Sequence, residues 1–302
     1  MKFMNFSRKN APAVLRLGSV FGDTCVDVTK AIGDDLLEFP RVVFTIEEVL
    51  QVKDGLQLLE EQLQGLQRTS GDIQSYLFNI SDVSLHAPIA HPTKLIGIGL
   101  NYKDHIEETK AKTPKEPLLF AMYANAIIGP EQPIVIPPVS RQIDYEAELA
   151  VVIGRRGRHV PVENALDYVA GYTIVNDVSA RDLQFSDGQW LRAKSFETFA
   201  PMGPFLVTKE KLGGADGLAI QLRLNGKTMQ NSNTSNLLFK VPELISHISK
   251  AMTLEVGDVI ATGTPGGVGF TRNPPVFMKP GDIVEIEVEG IVVLRNSVAD
   301  FD

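Results

Sequence analysis

The stretch 143–154, IDYEAELAVVIG, sets two carboxylates at the mouth of a run as apolar as Leu149, Ala150, Val151, Val152 and Ile153. The second half reads as a buried β-strand. Side chains two apart on a strand share a face, so Glu146 and Glu148 must project together. Like charges at that range repel, and unpaired charges are costly to bury. The fold must therefore supply a compensating cation, a proton shared between the two groups, or open water. For an isolated pair the plain reading is a solvated strand end, since glutamate is seldom fully buried.

A further acid converges on this pair. The stretch 172–182, YTIVNDVSARD, ends another β-branched run at Asp177 and continues to Ser179, Arg181 and Asp182. Glu146, Glu148 and Asp177 are three hard oxygen donors at the ends of two apolar strands, a set that suits an octahedral divalent ion completed by water and substrate. In 101–108, NYKDHIEE, His105 and Glu108 lie three apart and would meet on one face of a helical turn, where the carboxylate can orient the imidazole and raise its basicity. The plain alternative is two exposed polar residues on a charged turn. The segment that follows, TKAKTPKEP, is charged, punctuated by proline and without apolar anchors, which predicts a mobile lid.

Apart from these motifs the chain reads as β-rich. A helix is predicted from about Ile46 to Leu66, with Leu50, Leu58, Leu59, Leu63 and Leu66 approximating one apolar stripe, and a second near Val241 to Met252. AVLRLGSVFGDTCVDVT reads as strand, Gly-Asp turn and strand. Strands are predicted in 94–102, 133–138, 218–226, 257–265 and 282–293. In the last, Val284, Ile286 and Val288 alternate with Glu285, Glu287 and Glu289. Few long helices separate these strands, so a doubly wound parallel sheet is disfavoured and a β-rich α+β fold of mixed barrel or roll type is expected. The proline-bearing stretch 87–94, APIAHPTK, divides a small N-terminal α+β domain, 1–90, from a larger domain, 91–302.

Charge and composition exclude several classes. A formal net charge of -8 lacks the basic footprint that binding to a phosphate backbone requires, so nucleic acid is not an expected partner. No stretch approaches the roughly 18 uncharged apolar residues of a membrane span. With Cys25 as the single cysteine, no intrachain disulfide or cysteine-rich zinc site can form, and a reducing cytoplasm is expected. Lys2, Arg8, Lys9 and Arg16 precede the first acid, Asp23, and give the N-terminus a slight mitochondrial transit-peptide flavour that the hairpin pattern opposes. GIGLNY lacks the third glycine of a dinucleotide fingerprint, and GTPGGVG lacks the ending of a phosphate loop. Their glycines read instead as tight turns or close backbone approaches.

The segments GLNYKDHIEE, DYEAELAVVIG, GYTIVNDVSARDLQ, QWLRAKSFETFAPMGP and VIATGTPGGVG stand in this order over 92–298. On these the chain resembles the fumarylacetoacetate hydrolase family, in the shorter branch of acylpyruvate hydrolases and oxaloacetate decarboxylases or tautomerases. The resemblance implies Mg2+ or Mn2+ on Glu146, Glu148 and Asp177, a position Ca2+ could take in a crystal. It puts Arg181, Gln184, Lys194 and Thr264 around the ligand and makes His105 and Glu108 an acid/base pair on the lid. It also implies a homodimer. Met122 stands where many members carry a lysine, which puts charge selectivity at the distal end of the substrate in question.

The function expected is metal-dependent cleavage of a C–C bond in a 2,4-dioxo (acylpyruvate-type) carboxylate. His105 would activate water, and the catalytic Lys194, with Arg181, would offset developing negative charge. Without the water attack, the same site would decarboxylate oxaloacetate or tautomerise it. A catalytically inactive, metal-stabilised binding protein is a reading of another class, and the intact His105 and Glu108 argue against it.

Overall fold

The computed structural model describes residues 1–68 and 73–301. Three strands form the centre of the main sheet, Ala147–Ile153, Val169–Asn176 and Ala200–Thr208, and every residue in them is buried. Their interiors are almost wholly apolar, and a strand with no sustained polar phase has no face to give to water. The sheet continues through Val259–Ala261, Leu95–Gly99 and Leu118–Met122 on one side. On the other it continues through Lys2–Arg8, Ala11–Phe21, Thr24–Asp27 and Leu77–Phe78. Pairing in it is mainly antiparallel; Val259–Ala261 with Leu95–Gly99 is parallel. The fold is sheet-rich α+β, as expected, with the strand order of the main sheet running between two edges rather than closing into a barrel.

A second sheet carries the alternating strands. It runs Lys227–Asn233, Ala219–Leu224, Ile283–Val288, Val292–Asp300 and Ile134–Ile136. Val284, Ile286 and Val288 are buried, while Glu285 and Glu287 pair outward with Arg223.

The N-terminal residues are part of the main sheet. Lys2–Arg8 pairs antiparallel with Ala200–Thr208, Phe3 opposite Leu206. The Gly-Asp hairpin is present, with Phe21 opposite Thr24 and Gly22 at φ +62, the left-handed geometry that a two-residue turn needs. Arg8 and Arg16, from the basic N-terminal stretch, pair with Asp27.

The predicted helix over 46–66 is two helices, Ile46–Leu50 and Gly55–Arg68. Asp54 takes φ +56, and a side chain on Gly55 would collide with the Val49 carbonyl, so the chain turns where the leucine spacing alone predicted continuity. Leu59 and Leu63 are buried and Leu58 is exposed, which narrows the stripe. The second predicted helix is Val241–Ala251. Among the described residues no helix is long and apolar enough to cross a membrane.

Gly171 packs against the strand Ala200–Thr208, and a methyl group there would collide with the Val207 carbonyl oxygen. Gly171→Ala should lower stability by about 1–3 kcal/mol, the range for overpacking. Gly65→Ala, in an exposed helical position with open space around it, should raise it by up to about 1 kcal/mol. Denaturant midpoints of the two variants check both signs.

Candidate active site

The register of two strands assembles the acids. Ala147 pairs with Asn176 and Glu148 with Val175, so Glu146 and Asp177 face each other just past the end of the ladder. The pairing is closed by Asp177 N–H donating to the Glu146 carbonyl (3.0 Å) and Glu146 N–H donating to Asn176 Oδ1 (3.0 Å). Strand parity puts Glu146, Glu148 and Asp177 on one face. Their carboxylate oxygens lie within 4.8 Å of one another, and all three side chains are buried.

Two cations answer the repulsion between the glutamates. Lys194 Nζ donates to Glu146 Oε2 (2.9 Å), Asp177 Oδ2 (2.6 Å) and Ser179 Oγ (2.8 Å), which uses all three of its protons. Arg181 donates to Glu146 Oε1 (2.6 Å), Asp144 Oδ2 (2.9 Å) and Gln184 Oε1 (2.8 Å). Glu146 is thus gripped from both sides. Burial raises its pKa, but Lys194 and Arg181 outweigh that and bring it down to about 2. Glu148 receives a single backbone N–H, from Gly263 at 2.8 Å. Burial, then Asp177 and Glu146, hold it well above the usual carboxylate range. Asp177 is pushed up to about 7 by burial, against the pull of Lys194.

The donor set fits a divalent cation. Among the described residues the ion pairs of Asp144, Glu146, Glu148 and Asp177 are with Arg181 and Lys194, so full ionisation leaves two negative charges without an ion-pair partner. Asp177 Oδ1 is buried without a hydrogen-bond partner. A buried, unpartnered oxygen beside two other carboxylates, in a cluster short of two positive charges, is what a hard dication requires.

A cavity of about 270 Å³ opens over the acids, at the small end for a ligand site. His105, Arg181, Gln184, Lys194 and Thr264 line it together with the three acids. Among the site residues expected from the sequence, Glu108 alone does not line it and instead backs His105. His105 sits on the helix Lys103–Thr109, and its Nδ1 is 3.6 Å from Glu108 Oε2, beyond hydrogen-bond range. Glu108 accepts from Gly267 N–H (2.9 Å) and Thr271 Oγ1 (2.7 Å), and these bonds with His105 hold its pKa down against burial. Thr109 and Ala111, at the start of the lysine-rich segment, line the cavity rim. Met122 does not line it; it is buried in its strand opposite Leu95.

The glycine motifs are explained by close approach. Gly263 takes φ +102 beside the Asn101 side chain, and there its N–H reaches Glu148. In GTPGGVG the backbone is held by protein carboxylates: Gly267 N–H donates to Glu108, and Gly269 N–H (2.7 Å) and Phe270 N–H (3.0 Å) donate to Asp144.

Sequence reasoning missed Asp144, although it shares the two-residue phase of Glu146 and Glu148. It also missed Phe120, Trp190 and Phe270 in the cavity wall. Trp190 stands one helical turn before Lys194, a spacing that puts both on one face.

Comparison with known proteins agrees with this geometry. The family described as fumarylacetoacetate (FAA) hydrolase C-terminal matches residues 94–299. A mitochondrial oxaloacetate tautomerase of Xenopus laevis is 45% identical over 250 residues, covering 82% of this chain and 78% of that protein. One from Bos taurus is 48% identical over 220 residues, covering 72% and 70%. Among solved structures, the fumarylacetoacetate hydrolase of Exiguobacterium antarcticum superposes with a TM-score of 0.82 at 35% identity, over 100% of both chains. The maleylpyruvate hydrolase of Sphingobium sp. SYK-6 does so at 0.78 and 29% identity, also over 100% of both. The chain therefore belongs to the fumarylacetoacetate hydrolase family.

Proposed function

We propose that the protein interconverts the keto and enol forms of a short 2-oxo acid of the oxaloacetate class. The observation that carries this reading is a proton-transfer side chain, His105, lining the same small cavity as a cation-seeking acid cluster. The relatives named as oxaloacetate tautomerases support it over the C–C hydrolysis expected first from the sequence. Hydrolysis of a 2,4-dioxo acid remains the second reading, because the His105–Glu108 pair could equally activate water and a maleylpyruvate hydrolase shares the fold.

Tautomerisation moves one proton between C3 and the oxygen on C2. His105 is the group to carry it, held in the cavity wall with Glu108 behind its Nδ1. Glu146, Glu148 and Asp177 would hold Mg2+ or Mn2+, which when bound supplies Lewis-acid polarisation of the 2-oxo group. Lys194 and Arg181 keep Glu146 ionised for that purpose and set positive charge beside the place where an enolate would form. We further infer a homodimer in a reducing compartment, in keeping with the lone buried Cys25. Light scattering should report about twice the 33.1 kDa chain mass; the monomer mass would count against the dimer.

Metal binding should depend on pH with a defined sign. A carboxyl whose pKa is raised on folding, as at Asp177 to about 7, adds stability that is present below its unfolded pKa and lost as pH rises through 7. A dication competes with that proton, so its affinity and its stabilising effect should grow as pH rises. The Mg2+-induced gain in Tm should be larger above pH 7 than below it, and Glu148→Gln should abolish the gain. An equal gain at both pH values would contradict the assignment.

His105→Ala should lower kcat for oxaloacetate tautomerisation by roughly 100 to 10,000-fold, the usual contribution of a general acid/base, and leave the Mg2+-induced Tm gain intact. Stopped-flow loss of enol absorbance gives the rate. Assaying acetylpyruvate alongside separates the two readings, since cleavage releases pyruvate and tautomerisation does not.

A further inference from the structure

Beside its charged floor the cavity has an aromatic wall, seated on two glycines that the motif GIGLNY supplies. Gly97 and Gly99 lie two apart on Leu95–Gly99 and therefore share a face. A side chain on Gly97 would collide with the Phe120 ring, and one on Gly99 with the Trp190 ring. The two rings meet edge to face at 5.3 Å, a preferred aromatic geometry. Phe185 and Phe270 form a second such pair at 5.5 Å, also lining the cavity.

The two lining cations, Arg181 and Lys194, are committed elsewhere. Lys194 has given its three protons to Glu146, Asp177 and Ser179, and its ammonium lies 5.0 Å from the Phe120 ring centre. Arg181 is bonded to Asp144, Glu146 and Gln184, and its guanidinium lies 4.5 Å from the Phe270 ring centre. A 2-oxo acid whose head sits over the carboxylates would thus extend its far end along aromatic rings, past a lysine whose three protons are taken and an arginine already engaged with three acceptors.

From this wall we infer a further activity, keto–enol tautomerisation of 2-oxo acids that carry a flat apolar group on C3, with Trp190 and Phe120 as the specificity-determining residues. The inference rests on the tautomerase reading above and extends it to a second substrate class. The reaction balances without a co-reactant. The C3–H bond breaks, its electron pair becomes the C2=C3 double bond, and the C2 oxygen takes up a proton; His105 accepts the first and returns the second. An aromatic group on C3 is conjugated with that double bond, so the enol is planar and fits against the rings.

The test uses phenylpyruvate and oxaloacetate side by side on the Mg2+-loaded protein. Trp190 is the only tryptophan of the chain, so its fluorescence reports occupancy of the wall directly in the unaltered protein. Phenylpyruvate should quench it where pyruvate does not, and its enol should disappear at a rate proportional to enzyme. Trp190→Ala should lower kcat/KM for phenylpyruvate relative to oxaloacetate by about tenfold or more, the scale on which an apolar pocket discriminates, and Trp190→Phe should keep most of that ratio. Turnover of oxaloacetate with none of phenylpyruvate would overturn this inference and leave the tautomerase reading standing. An unchanged ratio in Trp190→Ala would overturn the role of the wall. Failure with both acids would remove the tautomerase reading and this inference together.

Discussion

The site depends on one ammonium group. Without Lys194 Nζ between Glu146 and Asp177, the strand register that brings these carboxylates together would put like charges face to face in a buried setting. The cost of burying charge is tolerable only where each ion is paired and its remaining hydrogen-bonding capacity met. Glu146 meets that condition through Lys194 and Arg181; Glu148 and Asp177 do not. The fold thus compensates one carboxylate fully and leaves the other two in need of a positive charge or a proton. A buried salt-bridge network of purely structural use would lack that imbalance.

The acids and the histidine were legible in the sequence because each stands in a local pattern, whereas Arg181, Gln184, Lys194 and Thr264 were placed beside them by the family resemblance alone. Glu146 and Glu148 break the polarity of an apolar strand, Asp177 ends another, and His105 and Glu108 keep a helical spacing. The sheet-rich architecture was legible for the same reason, since alternation and unbroken apolar runs are local properties. What escaped has two sources. The break between the two helices is marked locally by the dipeptide Asp54-Gly55, a turn signal that the leucine spacing over 46–66 outweighed, whereas the cavity wall is set by contacts far apart in the chain. Phe120 and Trp190 read as ordinary apolar residues until the glycines beneath them are seen to be their seats. Reaction type was the least legible feature, because water attack and proton shuttling draw on the same His105 and Glu108.

The two glycine-rich motifs show how one composition serves different ends. GIGLNY clears space for aromatic rings, whereas GTPGGVG offers backbone N–H groups to Glu108 on one side and Asp144 on the other. The second loop thereby links the helix that carries His105 to the strand segment that orients Arg181. His105 and an ion-pair network on distant parts of the chain are tied through a handful of main-chain donors.

The pairing of Lys2–Arg8 with Ala200–Thr208 bears on how the molecule is made. During synthesis the first strand leaves the ribosome long before its neighbour exists. Until Val83–His86 pairs with Asn5–Arg8 it presents an unpaired apolar edge of the kind that recruits other chains. Closing so long a loop is slow, and large sheet proteins of high contact order are exposed to aggregation meanwhile. The hairpin with Ala11–Phe21 forms from nearby residues and can shield one side of that strand early. Its other side is covered in two stages, Asn5–Arg8 by Val83–His86 and then Lys2 and Phe3 by Ala200–Thr208, so only a short stub of edge is left open while the middle of the chain is made.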